Sequence, residues 1–506
     1  MPASPGPPGR VLLDGSSLTL ADLVAIAHDG ATVGLTDAAR ERVRASRALV
    51  DVRAAADEPA YGINTGFGSL SDVRIPRDQL AALQLNLIRS HAAGVGEPLS
   101  VPVVRATMAL RANVLAKGYS GVREATLEAL IAALNARVHP RIPSRGSVGA
   151  SGDLAPLAHL ALVLVGEGEV LDRSLAEAGL APVRLDAKEG LALINGTQPS
   201  TAALALAWHE AMRLADASDV AAAMAIDVLH GSARPFDPRI HEARPYEGQR
   251  TAAARMASLL TGSAINESHK NCGRVQDAYC MRCAAQVHGA ARDALAFVAR
   301  TALVEANAGT DNPMVFVDQG DIVSGGNFHG APVAIAADLL AVAVTHLATI
   351  SERRTDRLLD TTVSGLPPFL TEHSGLHSGL MMAQVTAAAL ASELKSLAHP
   401  ASVDTIPTSA GKEDHVSMSM GAALKAARAA EIAQQVVAIE LLCACQGLDL
   451  LRPLTTSAAL QRVHAMIRKD VPPLGDDRPP APDIARIASR ISDGSIEREV
   501  HLLSPT

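Results

Sequence analysis

The sequence predicts an all-α protein, and three observations carry that prediction. Almost half of the chain (48%) is apolar, yet only 2% is aromatic. The apolar share is mostly Ala, Leu and Val, and small side chains suit long helices packed closely together. These residues recur at three- and four-residue steps over long stretches, and about six polar, glycine-marked breaks separate the stretches.

The 506 residues are enough for a large core and for more than one compact unit. Residues 1–10, rich in Pro and Gly, read as a disordered tail. An N-terminal helical domain is expected over 11–230, and a central helix bundle with C-terminal helices over 231–506, joined in one integrated module. The net charge of −8 is modest, and it shows neither a basic face for nucleic acid nor a polybasic membrane patch.

Taken in order, helices are expected at 19–28, 37–57, 79–91, 101–117 and 122–136, then from Leu154 to about Val165. Residues 170–185 read as irregular or short-strand structure. A long alanine-rich helix follows from Ser200 to about Leu229. Pro235, Pro238 and Pro245 mark 230–270 as a connecting region. The segment from Arg274 to Cys283 reads as the start of a helix, with Gln276, Tyr279 and Arg282 spaced by three over an arc of roughly 120°. Helices at 331–356, 379–399 and 421–451 close the pattern. Residues 331–350 are the best candidate for a membrane span, but Asp338, His346 and the alanine content favour a buried bundle helix.

Five cysteines fall in two clusters, Cys272, Cys280 and Cys283, then Cys443 and Cys445. The Cys280–Cys283 spacing raises zinc or redox chemistry, but two further ligands are lacking, so buried reduced thiols and no metal are expected. An odd count without a secretory signal points to the cytoplasm.

Residues 141–156 organise the rest. Gly146, Gly149 and Gly152 strip side chains from a segment that opens onto an apolar helix, with Ala150, Ser151 and Gly152 at its centre. Asp153 suits the N-cap of that helix, and Pro156 is tolerated in its first turn. Other breaks hold scarce or polar groups. The chain has only four Tyr and six Phe, yet Tyr61 and Phe67 sit together in one glycine-rich loop and Phe328 in another. His91 lies at a helix C-terminus, where it could cap carbonyls, and Asn195 precedes Gly196 in a turn.

Seven segments in order resemble the aromatic amino acid ammonia-lyases, and within them the histidine-acting branch. They are Tyr61-Gly-Ile-Asn-Thr-Gly-Phe-Gly, Ser90-His91, Gly149-Ala-Ser-Gly-Asp-Leu-Ala-Pro-Leu-Ala-His159, Asn195-Gly-Thr-Gln, Gln276-Asp-Ala-Tyr279-Cys-Met-Arg282-Cys, Gly325-Gly-Asn-Phe-His-Gly330 and Glu413-Asp-His-Val-Ser-Met418. The resemblance covers nearly the whole chain, from about residue 10 to 500.

The resemblance implies that Ala150-Ser151-Gly152 closes, with loss of two waters and no external cofactor, into a 4-methylidene-imidazol-5-one (MIO). This electrophile makes the substrate nitrogen a better leaving group. The resemblance also implies Tyr61 as the base for the β proton and Arg282 as the fork on the substrate carboxylate. Asn195, Gln276 and Tyr279 then bond the prosthetic group and the amino end, with Phe328 packed against them. His91 and Glu413 match the histidine-acting pattern. Each can pair with an imidazole nitrogen, whereas a phenyl ring would leave both unsatisfied. The implied reaction is L-histidine to trans-urocanate and ammonia, the first step of histidine degradation, in a homotetramer with shared sites. The alternative is a lyase or 2,3-aminomutase for phenylalanine or tyrosine. One departure stands out: Gly411-Lys412 precede Glu413 where many members have Asn-Gln.

Overall fold

The structure is a computed structural model that describes residues 9–270 and 272–501. It is all-α, 61% helix with a few short strands. The long helices fall where the alanine-rich periodicity places them: Gln198–Val228, Ala331–Leu359 and Ser419–Leu450, with Ala284–Ala306 preceding the second. Alanine allows this packing. Ala221, Ala222, Ala223 and Ala225 are completely buried along one helix, so its surface is buried nearly all round. Helix Ala331–Leu359 is long and apolar enough to cross a membrane, but 67% of its most apolar stretch is buried inside the fold.

The described chain forms two compact units. The first takes the described residues through Leu206 with Ala299–Asp338 and Pro400–Leu424, and the second takes Ala207–Val298, Leu339–His399 and the residues from Lys425 onward. The units interleave along the chain, unlike the single cut at residue 230 expected from composition.

In the first unit, helix Asp37–Ala55 starts at Thr36, whose hydroxyl accepts from the Ala39 amide. Helix Val101–Ala116 is the centre of the core, and every residue from Val104 to Ala116 is buried, Arg105 and Arg111 included. Three two-stranded sheets brace the unit, a feature absent from the sequence reading. Arg10–Leu13 pairs in parallel with Thr32–Leu35. Arg10 therefore begins a strand instead of ending a tail, and residues 1–8 of that expected tail lie outside the described residues. Val95–Pro98 pairs antiparallel with Pro143–Arg145.

The second unit corrects three expectations. The proline-marked region 230–270 holds helix Glu247–Leu260, which begins just past Pro245. The segment from Arg274 is irregular, and helix covers only Tyr279–Arg282 before Ala284–Ala306. The cause is Asp277: its carboxylate accepts from the Ser232 amide at 2.7 Å and from Arg274 at 3.3 Å, tying the segment to the turn at 230. All five cysteines are free, but Cys272 is exposed and only Cys443 and Cys445 are buried.

Candidate active site

Residues 146–153 are held as a tight, side-chain-poor loop. Gly152 has φ +70°, and a Cβ there would overlap the Gly196 carbonyl, so only glycine fits. The two segments run side by side as an isolated parallel bridge, and the Asp153 amide donates to the Gly196 carbonyl at 2.8 Å. Two further segments close on the loop. The Gly330 amide and the Ser417 hydroxyl both donate to the Gly149 carbonyl, at 3.1 and 2.8 Å, and the Met418 amide donates to the Val148 carbonyl at 2.7 Å.

Asp153 is fully buried, but its carboxylate does not cap the helix it precedes. It accepts from the Ser147 hydroxyl at 2.6 Å and from the Ser200 amide at 2.9 Å. Ser200 lies in the first turn of Gln198–Val228, so Asp153 satisfies an orphan amide of that longer helix. Burial pushes its carboxyl up, and the bonds from Ser147 and Ser200 oppose that shift.

Ser151 meets two of the sequence-assigned residues directly. Its hydroxyl donates to Glu413 Oε1 at 2.7 Å, and its carbonyl accepts from Asn195 Nδ2 at 3.0 Å. The other Glu413 oxygen accepts from the Thr408 hydroxyl at 2.5 Å. Lys412 is exposed, so the departure beside Glu413 leaves the carboxylate held by Thr408 and Ser151. Asn195 is buried, and its Oδ1 has no hydrogen-bond partner among the described residues.

The remaining residues of this unit arrive through their loops. His91 ends helix Leu80–His91 with Nδ1 on the Leu87 carbonyl at 2.8 Å. A carbonyl only accepts, so Nδ1 carries a proton and donates it there, which leaves Nε2 free to face a ligand. The capping role foreseen for His91 is therefore real. The strand pair just after it places its segment against the loop, where a Cβ on Gly146 would stand 3.0 Å from the Gly94 Cα. Tyr61 stacks edge-on with Phe67 (6.5 Å) and accepts from the Gly68 amide at 3.4 Å. A Cβ on Gly68 would lie 3.8 Å from the Ser409 hydroxyl, which sets the Tyr61 loop beside the segment leading to Glu413. Phe328 is half-buried, two residues before the Gly330 anchor.

Gln276, Tyr279 and Arg282 belong to the second unit. Tyr279 is 70% exposed, and the Arg282 guanidinium lies 4.7 Å from its ring centre. Gln276 and Arg282 line an open cleft of about 1230 Å³ that also carries Arg234, Lys270 and Arg274. Asp237 and Asp277 share this lining and pair with Arg239 and Arg274, and Lys270 pairs with Glu267. Arg354 and Glu440, both fully buried, form a two-bond ion pair, and Arg354 also donates to the Cys280 carbonyl at 3.2 Å. That bond steadies the turn between Tyr279 and Arg282. Sequence reasoning gave no role to Arg354, Thr408 or Ser417: Arg354 and Ser417 act through chain-distant contacts, and Thr408 reaches Glu413 five residues on.

The profile of the family described as aromatic amino acid lyase matches residues 18–469. The chain belongs to that family. Among family members, a protein of Anaeromyxobacter sp. (strain K) named histidine ammonia-lyase is 55% identical, covering 96% of this chain and 99% of its own. The crystal structure of histidine ammonia-lyase from Trypanosoma cruzi superposes with a TM-score of 0.91 at 45% identity, covering 98% of this chain and 96% of that one. Tyrosine aminomutase from Streptomyces globisporus shares the fold with a TM-score of 0.93 at 36% identity, covering 98% and 99%.

Proposed function

We propose that this protein removes ammonia from L-histidine without oxidation and releases trans-urocanate. The observation that carries the reading is the Glu413 carboxylate on Ser151, one oxygen on Thr408 and the other on the serine hydroxyl. When Ser151 loses that hydroxyl, Glu413 Oε1 loses its partner and becomes an acceptor for an imidazole N–H. A phenyl or phenol ring carbon offers no such donor and would strand a charge. The high identity to proteins named histidine ammonia-lyase supports the same substrate.

The residues present fit an MIO group formed from Ala150, Ser151 and Gly152. Gly152 has no room for a side chain, the segment is sharply bent, and the unpaired Asn195 Oδ1 lies beside Ser151. Once formed, the group supplies an electrophile for the substrate amine, which ordinary side chains lack. Asn195 Nδ2 holds the Ser151 carbonyl and so fixes the segment. Tyr61 is the base for the β proton, and the Gly68 amide orients its hydroxyl. Arg282, supported by Tyr279 and Gln276, forks the carboxylate. His91 Nε2 and Glu413 address the imidazole, and Phe328 packs beside it.

The exposed apolar side chains Val275, Leu376 and Val403 support burial by further copies, and a homotetramer with shared sites is the proposed assembly. Free cysteines support a reducing cytoplasm as its compartment.

The test is to incubate the purified protein separately with L-histidine, L-phenylalanine and L-tyrosine and follow the ultraviolet band of each acrylate. Urocanate from histidine is expected. Turnover of another amino acid with none of histidine sinks the reading.

A further inference from the structure

The strongest unexplained group near the site is Arg111. It lies in the apolar helix Val101–Ala116 and is completely buried, with no ion-paired carboxylate among the described residues. A guanidinium in such a place is costly unless its donors are used. Nε has no partner among the described residues, and the two terminal nitrogens converge on one stretch, 192–198. Nη1 donates to the Asn195 carbonyl at 2.7 Å and to Gln198 Oε1 at 2.7 Å, and Nη2 donates to the Ala192 carbonyl. Ala192 and Asn195 stand at the end of the short helix Glu189–Ile194, where carbonyls lack helical partners and the helix dipole is negative. Arg111 is thus a side-chain cap delivered from a distant segment.

What it caps leads straight to the reactive tripeptide. Asn195 reaches Ser151 through its side chain, and Gly196 lies against Gly152 backbone to backbone. A Cβ on Gly196 would stand 2.5 Å from Arg111 Nη1 and 2.8 Å from the Thr310 hydroxyl, so the Gly196 segment is wedged between the guanidinium and Gly152. Gln198, the other partner of Arg111, is held from behind by a bond from its Nε2 to Thr310 at 2.8 Å. Burial pulls Arg111 down to about 10, and nearby Asp311 opposes that shift, so the group is still charged at neutral pH.

We infer that Arg111 is the backstop that presses the Asn195–Gly196 segment onto Ala150-Ser151-Gly152 and so holds these three residues in the bend needed for ring closure. In that closure a bond forms from the Gly152 nitrogen to the Ala150 carbonyl carbon. The Ala150 oxygen leaves as water with the Gly152 and Ser151 amide hydrogens, and the Ser151 hydroxyl leaves as a second water with its Cα hydrogen. Arg111 touches none of the reacting atoms, so it is a positioning residue. The inference rests on the proposed function above only through the identity of the ring.

The test compares wild type, Arg111→Lys and Arg111→Met, reading the mass of the peptide that contains residues 150–152 alongside the melting temperature of each folded protein. Lys keeps a charge and can still donate to one of the carbonyls. Met keeps the volume and strands no charge, so it should melt at or above Lys. The backstop role requires the opposite order for ring closure: complete in wild type, reduced in Lys, and reduced about tenfold or more in Met. A ring fraction that follows the melting order, or is complete in Met, overturns the inference. So does failure of both variants to fold, because Arg111 would then serve the fold at large. Wild type that keeps both waters overturns the functional reading together with this one, whereas full closure in wild type and Met alike overturns this one alone.

Discussion

Replacing Glu413 by Gln keeps the length of the side chain and one carbonyl acceptor but removes its charge. Glu413 Oε2 is fixed by Thr408 at 2.5 Å, so the oxygen facing Ser151 is already oriented before substrate binds. A hydrogen bond to a charged group is worth about 1.5–3 kcal/mol net. At 1.36 kcal/mol per tenfold, the loss corresponds to a fall of roughly 10- to 150-fold in kcat/KM for histidine. Thr408→Val leaves the charge but frees Oε2, so its loss should be smaller. Glu413→Leu should lose histidine turnover and narrow the gap to phenylalanine, because an apolar ring no longer strands a carboxylate. Steady-state rates with both amino acids measure each effect. Glu413→Gln retaining histidine kcat/KM within about twofold would refute a direct bond to the imidazole.

Three other outcomes follow from the geometry. Ser151→Ala should fold normally and lose nearly all turnover, checked by circular dichroism and urocanate formation, since Ala cannot lose a hydroxyl. Asp153→Ala should destabilise by about 1–3 kcal/mol through the unpaired Ser200 amide and Ser147 hydroxyl, whereas Asp153→Asn keeps an acceptor and loses less. Because the Asp153 carboxyl is raised by burial, its contribution fades as pH rises through the folded value, so the deficit of Asn relative to Asp shrinks over that rise in melting scans. In the second unit, burial raises the Asp219 carboxyl, but Arg292, His288 and Arg255 outweigh that and hold it at about 2. Its stabilisation is present above the ordinary value of 3.8 and is lost as pH falls towards 2, so Asp219→Asn should show a flatter acid limb in urea melts.

The long helices were legible because Ala and Leu repeat with the helical period over many turns, as in Gln198–Val228 and Ser419–Leu450. What was lost depends on partners far away in sequence. Val95–Pro98 and Pro143–Arg145 contain Gly, Glu, Pro and Ser and carry no strand pattern; their pairing is visible only once folded. Asp153 has the composition of a cap for its own helix, and only the fold shows that it serves another. Gln276 kept helical spacing with Tyr279 and Arg282, but Asp277 diverts the backbone towards Ser232. Arg111 did leave a trace, a charge inside an apolar helix pattern, which is a signal of a buried polar job. Of the assigned site residues, the direct bonds join Ser151, Asn195 and Glu413, and these are polar groups in glycine-marked breaks.

The Gly149 and Ser151 anchors also set an order in time. Glu413 follows Ser151 by 262 residues, and Ser417 follows Gly149 by 268. At about 5–20 residues per second, a ribosome completes Ser151 roughly 10 to 50 s before it reaches those partners. A growing or truncated chain therefore carries the tripeptide without the clamps that bend it. The proposed ring closure therefore waits until about four-fifths of the chain has been made.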